Sequence, residues 1–183
     1  MIDELKATLG DLIYGVDVDS LEESVVRLLA ERELTMTCAE SCTGGLVAKR
    51  ITDIAGSSAV FLGGVVSYAN SVKRDVLGVP AHLLAQYGAV SRPVAAYMAR
   101  GAAALTGADV AVALTGIAGP GGGTPEKPVG LVYIGLTMHG ATYVKELHLG
   151  GRTRDRAYVR QLAASHALSM VRKAVLGQTK ENN

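Results

Sequence analysis

The stretch Thr37-Cys38-Ala39-Glu40-Ser41-Cys42-Thr43-Gly44-Gly45 joins a β-prone run, residues 34–38, to a helical apolar pattern that begins at Leu46. Corners of this kind lie at the carboxyl ends of the strands in an open α/β sheet, where ligands bind. The two glycines would let backbone N–H groups approach an anion closely. The alternative interpretation is an ordinary helix start with Ser41 or Thr43 as N-cap, and this stretch alone favours neither.

Hydrophobic periodicity and turn residues predict alternating strands and helices on both sides of this corner. Ser20, with Glu23 three positions later, is typical of a helix N-terminus. The pattern predicts helices near 21–31, 46–53, 70–77, 91–105 and 158–176, strands at 34–38, 63–68 and 108–115, a glycine-rich loop at 116–130, and a β-hairpin at 130–138 and 141–149. We therefore predict a three-layer α/β/α sandwich with a mixed, mostly parallel sheet. Residues 21–177 form the domain, residues 1–20 an N-terminal extension and residues 178–183 a tail.

Composition limits the possible functions. With 183 residues, 49% of them apolar, the chain is long enough for one good core. The net charge of +1 argues against a nucleic-acid-binding surface. The sequence contains no run of 18 apolar residues that could span a membrane. It has two cysteines and no second pair, so neither a disulfide framework nor a metal site is predicted. We expect a cytoplasmic protein. The alanine-rich 91–105 helix leads us to expect a homodimer.

Nucleotide-binding fingerprints, a G-x-S-x-G elbow and a zinc-binding H-E-x-x-H helix are all missing. What remains are hydroxyls and an amine near the ends of predicted elements: Ser41, Ser57, Ser58, Tyr68 and Lys73. Lys73 falls in the first turn of its predicted helix, where the helix dipole would destabilise its ammonium and favour the neutral base. A solvated surface lysine is the alternative.

Three arginines, Arg152, Arg154 and Arg156, precede or begin the last helix, with Arg160 one turn later. Cations at this end oppose the helix dipole, whereas a guanidinium can hold a phosphate or carboxylate bidentately. A solvated basic patch paired with Asp155 explains the sequence equally well.

Five motifs, taken in order, resemble the CinA C-terminal domain family. They are Ala39-Glu40-Ser41-Cys42-Thr43-Gly44-Gly45, Ile54-Ala55-Gly56-Ser57-Ser58, Tyr68-Ala69-Asn70, Gly88-Ala89-Val90-Ser91, and the loop from Thr115 to Gly130 with Gly116-Ile117-Ala118-Gly119-Pro120. The resemblance covers residues 21–175. It implies a three-layer α/β/α fold and hydrolysis of nicotinamide mononucleotide to nicotinate mononucleotide and ammonia, in pyridine nucleotide recycling, without metal or organic cofactor.

The resemblance also assigns site residues. Ser41, Ser58, Tyr68 and Lys73 correspond to catalytic positions, and the substrate-binding positions are Thr43, Gly44, Gly45, Thr115, Gly116, Gly119 and Arg156. We expect Ser58, or else Ser41, to attack the amide carbon while neutral Lys73 accepts the proton. Tyr68 would relay or orient, backbone N–H groups near Gly44 and Gly45 or in the 116–123 loop would hold the oxyanion, and Arg156 would bind the phosphate. The alternative is a non-catalytic nucleotide-binding or interaction module.

Overall fold

The computed structural model describes residue 8 and residues 13–15, 17–151 and 155–178. Five strands of this part of the chain form one sheet: β1 Met36–Glu40, β2 Phe61–Val66, β3 Val110–Gly116, β4 Leu131–Met138 and β5 Ala141–His148. Their order is β2-β1-β3-β4-β5. β1 is parallel to β2 and β3, whereas β4 is antiparallel to β3 and β5. Because β4 alone runs in the opposite direction, the predicted mixed, mostly parallel sheet is confirmed.

Helices cover both faces of this sheet. They are α1 Leu21–Glu31, α2 Leu46–Thr52, α3 Asn70–Asp75, α4 Ala81–Tyr87, α5 Arg92–Thr106 and α6 Arg156–Val175. α1, α2 and α6 pack together on one face, while α5 covers the other face and packs against α4. This arrangement confirms the three-layer architecture. None of the helices in the described residues is both long and apolar enough to cross a bilayer.

The centre of the sheet is buried on both faces, as β3 shows. Val110, Val112 and Leu114 belong to the core beneath α1, α2 and α6, whereas Ala111 and Ala113 face the smaller core beneath α5. This alternation follows from the two-residue period of a strand. The small side chains let α5 approach closely, and a Cβ added to Gly135 in β4 would lie 2.3 Å from the Ala95 carbonyl oxygen.

Local signals located the element ends with varying success. Ser20 caps α1 as predicted, because its Oγ accepts the Glu23 N–H at 3.1 Å. The tight hairpin turn is confirmed, with His139 and Gly140 both at positive φ. α6 begins two residues earlier than predicted, because the Asp155 side chain accepts the Tyr158 N–H and caps it. α4 was missed, since no side-chain cap or apolar period marks its start.

The homodimer stays a prediction. In α5, Val94, Met98 and Ala102 are fully buried within their own chain, whereas Leu105 near the end of the helix is 55% exposed. The described part of the predicted extension is held against the domain: the Tyr14 carbonyl accepts the Ser24 hydroxyl, and Ile13 accepts a bond from Arg172 in α6. Most of residues 1–12 and the tail beyond 178 lie outside the described residues.

Candidate active site

The carboxyl ends of β1, β2 and β3 meet at one edge of the sheet, because these three strands are mutually parallel. The chain leaves this edge at Ser41 after β1, at Ser67 after β2 and at Ile117 after β3. Ser41 continues the β1–β3 ladder, since its N–H donates to the Leu114 carbonyl at 2.9 Å. The shared carboxyl edge predicted from the sequence therefore exists, and polar groups from the segments after all three strands converge there.

The serine that follows β1 and a lysine on α3 form a direct hydrogen bond. Lys73 Nζ lies 3.0 Å from Ser41 Oγ, although the two residues are 32 positions apart in the chain. The ammonium also donates to the carbonyl oxygens of Ser67 at 2.5 Å and Tyr68 at 3.4 Å. The lysine is therefore held by three acceptors, one of which is the hydroxyl after β1.

Lys73 is only 1% exposed, so the alternative of a solvated surface lysine is wrong. Burial lowers the pKa of Lys73 below 10.5, and the nearby Cys42 acts in the opposite direction. The predicted cause was the positive end of a helix dipole, but Lys73 lies in the last turn of α3, a helix of six residues. Removal from water, and not the dipole, favours the neutral amine.

Glu40 is the functional residue for which sequence analysis assigned no role. Its carboxylate is 1% exposed and lies under the start of α2. It accepts N–H bonds from Gly45 at 3.1 Å, Val47 at 3.0 Å and Ala48 at 2.9 Å. Glu40 therefore caps α2 in place of Ser41 or Thr43, the two predicted N-cap residues. An acidic residue at the end of a buried strand, shortly before a helix, was the available signal.

Because Glu40 caps α2, the anion-binding site expected at Gly44 and Gly45 is not available. Gly44 and Gly45 do adopt the left-handed backbone that glycine permits, with φ of 61° and 95°. However, the Gly45 N–H is bound to Glu40 and the Gly44 N–H donates to the Ser41 carbonyl. The prediction that these two N–H groups are open to an oxyanion is wrong.

Both cysteines near the site are kept in the thiol form. Burial, assisted by the charge of Glu40, raises the pKa of Cys42 to about 11. Burial also raises the pKa of Cys38 well above its usual value. Because the thiolate is the nucleophilic form of cysteine, Ser41 is the group at this corner that is suited to attack.

Ser58 lies at the other end of the sheet. It belongs to the 3₁₀ turn Ser57–Ala59, which precedes the first residue of β2, and its side chain is exposed. Lys73 instead contacts the segment that follows the last residue of β2. A strand of this length spans roughly 17–20 Å, so within one chain Ser58 cannot pass its proton to Lys73. The expected Ser58–Lys73 pair is wrong, and the structure pairs Lys73 with Ser41.

Arg156, in the first turn of α6, links two walls of the site. It donates to the Gly119 carbonyl at 2.8 Å and to the Tyr68 hydroxyl at 3.1 Å. Tyr68 is 62% exposed, so this pair lies at the solvent-facing entrance. The other predicted arginines, Arg152 and Arg154, lie outside the described residues.

Arg160, one turn further along α6, has a different environment. It donates to the Thr43 carbonyl at 2.6 Å and so fixes the loop that carries Ser41. Thr43 is fully buried. Its hydroxyl and the Nε of Arg160 are buried without a hydrogen-bond partner among the described residues. These two polar groups flank the corner.

The 117–130 loop is attached to the neighbouring 87–91 segment. Lys127 donates to the carbonyls of Tyr87 at 2.5 Å and Val90 at 2.8 Å, a role that sequence analysis did not find. The Thr115 hydroxyl, predicted to bind substrate, donates instead to the Ala89 carbonyl and is 1% exposed. Gly116 pairs with Val132 in the β3–β4 ladder. Thr115 and Gly116 therefore support the site from behind.

Within the described ranges, no group of three or more His, Cys, Asp or Glu side chains is arranged to hold a metal ion. The groups that converge at this edge are a hydroxyl, an amine, a phenol and two guanidinium groups. Such a set suits acyl transfer from a neutral amide or ester that carries an anionic group.

Comparisons with known proteins agree with the fold and with the family resemblance. Residues 18–175 match the CinA C-terminal domain. A CinA-like protein of Kosmotoga olearia is 52% identical over 173 residues, which are 94% of this chain and 41% of that protein. A CinA-like protein of Desulfovibrio desulfuricans is 50% identical over 97% of this chain and 42% of its own length. The chain thus spans about two fifths of the length of these curated relatives.

Solved structures of similar chains have the same architecture. The competence/damage inducible protein CihA from Agrobacterium tumefaciens is 42% identical, with a TM-score of 0.82 over 90% of this chain and 98% of that chain. A CinA superfamily protein from Escherichia coli is 32% identical, with a TM-score of 0.76 over 93% and 97% of the two chains.

Fold and site define an α/β domain with a serine–lysine pair at the carboxyl edge of its sheet. The chain belongs to the CinA C-terminal domain family. The names of these relatives refer to CinA or to competence and damage induction, and they state no chemical reaction.

Proposed function

We propose that this protein hydrolyses the carboxamide of nicotinamide mononucleotide to nicotinate mononucleotide and ammonia, in the recycling of pyridine nucleotides. The observation that carries the proposal is the 3.0 Å hydrogen bond between Ser41 Oγ and the buried Lys73 Nζ. A carboxamide is a poor electrophile, so its hydrolysis needs an activated nucleophile and a base. The Ser41–Lys73 pair supplies both, and the CinA family resemblance supports the substrate.

The hydrogen-bond geometry supports Lys73 as the base. A neutral amine has two N–H groups and one lone pair. The carbonyls of Ser67 and Tyr68 accept two N–H bonds, which leaves the lone pair for the Ser41 hydroxyl. Burial lowers the pKa of Lys73 and so increases the fraction of enzyme in which this lone pair is available.

In the proposed reaction Ser41 Oγ forms a bond to the amide carbon while its proton passes to Lys73. The C–N bond then breaks, Lys73 returns the proton to the leaving nitrogen, and ammonia departs from an acyl-serine. Water activated by the neutral Lys73 attacks this ester and releases nicotinate mononucleotide and free Ser41. The reaction consumes one water for each ammonia released.

Two further groups complete the proposed mechanism. The backbone N–H of Cys42 follows the nucleophile directly, which is a common position for an oxyanion donor. Among the described residues it donates to no backbone carbonyl of another residue, and we assign it this role in place of Gly44 and Gly45. Arg156, at the entrance beside Tyr68, is the proposed partner of the substrate phosphate.

The two thiols that stay unpaired are consistent with action in the cytoplasm.

The decisive experiment measures ammonia release from nicotinamide mononucleotide by the wild-type protein and by the Ser41→Ala and Ser58→Ala variants, in the presence of a chelator. We expect Ser41→Ala to lower kcat by several orders of magnitude, because it removes the nucleophile. Ser58→Ala is the matched control, since it removes a hydroxyl that cannot reach Lys73 of its own chain.

Three outcomes would contradict this assignment. Full activity in Ser41→Ala would remove Ser41 as nucleophile, and loss of activity on chelation would remove the metal-free mechanism. Calorimetric binding of the nucleotide by the wild type without any turnover would instead support a non-catalytic nucleotide-binding module.

A further inference from the structure

Lys127 lies in the returning arm of the 117–130 loop, and its side chain crosses to another part of the chain. Its Nζ donates to the Tyr87 carbonyl at 2.5 Å and to the Val90 carbonyl at 2.8 Å, which are 40 and 37 positions away. An unpaired surface lysine usually points to water. Here the amine gives its N–H groups to backbone carbonyls, so it fixes one segment of chain to another.

The 87–91 segment that receives this amine is itself held in place. A Cβ at Gly88 would lie 3.3 Å from Lys127 Nζ, so the glycine leaves the space in which the amine sits. The Ser91 hydroxyl donates to the Gly88 carbonyl at 2.9 Å. The Thr115 hydroxyl, on β3, donates to the Ala89 carbonyl at 2.8 Å. Lys127 is therefore bound to a segment that is fixed to the sheet.

The two arms of the 117–130 loop pack tightly against each other. A Cβ at Gly119 would lie 2.6 Å from Val129 Cγ1, and a Cβ at Gly123 would lie 2.9 Å from the Val129 backbone nitrogen. At the base of the loop the Gly130 N–H donates to the Ile117 carbonyl at 2.7 Å. Because the arms touch so closely, the position of the returning arm determines where the Gly119 backbone lies.

The Gly119 carbonyl in turn accepts a hydrogen bond from Arg156 Nη1 at 2.8 Å. The other printed partner of this guanidinium is the hydroxyl of Tyr68, a side chain that is 62% exposed. Arg156 makes no ion pair with a carboxylate among the described residues, so its charge is available to an anionic ligand. Of its two partners, the Gly119 carbonyl is the one on a backbone that is held in place.

We propose that Lys127 is a positioning residue for Arg156. By fixing the 117–130 loop on the 87–91 segment, it holds the Gly119 carbonyl where this carbonyl orients the guanidinium toward the phosphate of the substrate. The inference rests on the proposed function for the identity of that anion. A long side chain loses rotamer freedom when it binds a ligand, and a side chain that is already oriented loses less. Lys127 therefore increases substrate affinity without contacting the substrate.

Hydrogen exchange tests the anchor without any assay of activity. In Lys127→Met, which keeps a long side chain but removes its N–H groups, the amides of the 87–91 segment and the 117–130 loop should exchange several-fold faster than in the wild type. Those of β3 and β4 should be unchanged. Lys49→Met is the matched control, because it removes the same charge from an exposed side chain of α2. Unchanged exchange of the loop in Lys127→Met would overturn the anchor.

Steady-state kinetics test the effect on the site. Lys127→Met should raise the KM for nicotinamide mononucleotide several-fold and leave kcat unchanged, because binding through Arg156 is shared by the ground and transition states. Lys49→Met should change neither value. A lower kcat with an unchanged KM would overturn the positioning role, since it would connect Lys127 with the chemical step.

Combination with Arg156→Ala separates positioning from direct contact with the substrate. If Lys127 acts through Arg156, Lys127→Met should raise KM no further once Arg156 is replaced by alanine. Two increases that multiply would overturn the proposal, because they would show that Lys127 acts independently of Arg156. Nicotinamide riboside, which lacks the phosphate, gives a second readout: its kcat/KM should be equal for the wild type and Lys127→Met.

Calorimetry distinguishes failure of this inference from failure of the proposed function. A wild type that releases no ammonia would contradict the proposed function alone. The Kd of nicotinamide mononucleotide then decides the inference. A Kd that is several-fold higher in Lys127→Met than in the wild type and in Lys49→Met would support the positioning role of Lys127, and an equal Kd in all three proteins would overturn it.

Discussion

Lys73 is the residue whose environment differs most from what its sequence position suggests. A lysine followed by Arg74 on a six-residue helix usually points to water, yet Lys73 is among the largest fully buried side chains. The buried position is tolerated because two carbonyls and one hydroxyl receive its N–H groups. The two carbonyls, those of Ser67 and Tyr68, orient the amine toward the Ser41 hydroxyl.

The pH dependence of the proposed reaction should report the protonation of Lys73. Because burial lowers the pKa of Lys73, the neutral base forms at a pH below the usual 10.5, and kcat/KM should rise with pH through that lowered value. The check is a pH profile of ammonia release. In Lys73→Arg, whose guanidinium stays protonated, activity should be low and this rise absent.

The same pKa shift has a consequence for stability. Between the lowered pKa of folded Lys73 and 10.5, the unfolded chain binds more protons at this site than the folded chain. The contribution of Lys73 to the free energy of unfolding therefore rises with pH in this window.

For the pH profile of ammonia release, a kcat/KM that stays constant up to pH 10.5 would contradict a role for Lys73 as base.

The start of α2 shows how one element depends on a residue outside it. Gly45, the N-cap, has no side chain to accept the first N–H groups, and the buried Glu40 carboxylate does so instead. Negative charge at this end also complements the helix dipole. Glu40 thus joins the end of β1 to the beginning of α2, and fixes the corner between them.

Glu40→Gln should destabilise the protein. The substitution replaces one acceptor oxygen by an NH₂ group that faces backbone donors, and a buried unpaired group costs about 1–3 kcal/mol. Urea unfolding should show a lower midpoint with an unchanged m-value. The control is Glu31→Gln at the exposed end of α1, expected to change stability by less than about 0.5 kcal/mol. Equal stability of Glu40→Gln and the wild type would contradict the capping role.

α5 packs so closely that a usually favourable substitution should be harmful. Replacing glycine by alanine inside a helix normally gains about 1 kcal/mol. A Cβ on Gly101, however, would lie 2.0 Å from the Leu77 carbonyl oxygen, so the helix or the 77–79 segment must shift. Overpacking of this kind costs about 1–3 kcal/mol.

We therefore expect Gly101→Ala to lower the urea midpoint. Ala104→Gly, at an exposed position of the same helix, should cost about 1 kcal/mol through helix propensity alone. One variant replaces glycine by alanine and the other replaces alanine by glycine, so helix propensity alone would change their stability in opposite directions. A loss of stability in both therefore shows the effect of close packing at Gly101. A Gly101→Ala protein more stable than the wild type would show that α5 can move without cost.

At the scale of the whole molecule, sequence analysis predicted what depends on local pattern. The period of apolar residues identified most strands and helices, and His139-Gly140 located the hairpin. The Ser41 corner and Lys73 were both identified as candidates. The family resemblance offered Ser41, after Ser58, as the partner of Lys73. Local pattern could not decide between the two serines, because the choice depends on how β1 and β2 align side by side.

The misassigned residues have the same cause. Ser58 and Ser41 both follow predicted element ends, and only the direction of β2 shows that they lie at opposite edges. Thr115 lies near the glycine loop in sequence, but its hydroxyl donates to the Ala89 carbonyl and does not face the entrance of the site. Sequence patterns indicate which residues lie near an edge, whereas strand order and direction decide which of them meet.

The bond from the Ser67 N–H to the Glu40 carbonyl links the site to the β1–β2 pair. Ser67 also supplies a carbonyl that accepts a hydrogen bond from Lys73. The amine is therefore correctly positioned only when β1 and β2 are paired. The chemistry is therefore assembled in the same cooperative event that closes the sheet. A denaturant titration followed by ammonia release should trace the same curve as one followed by circular dichroism, which makes turnover itself a reporter of native strand pairing.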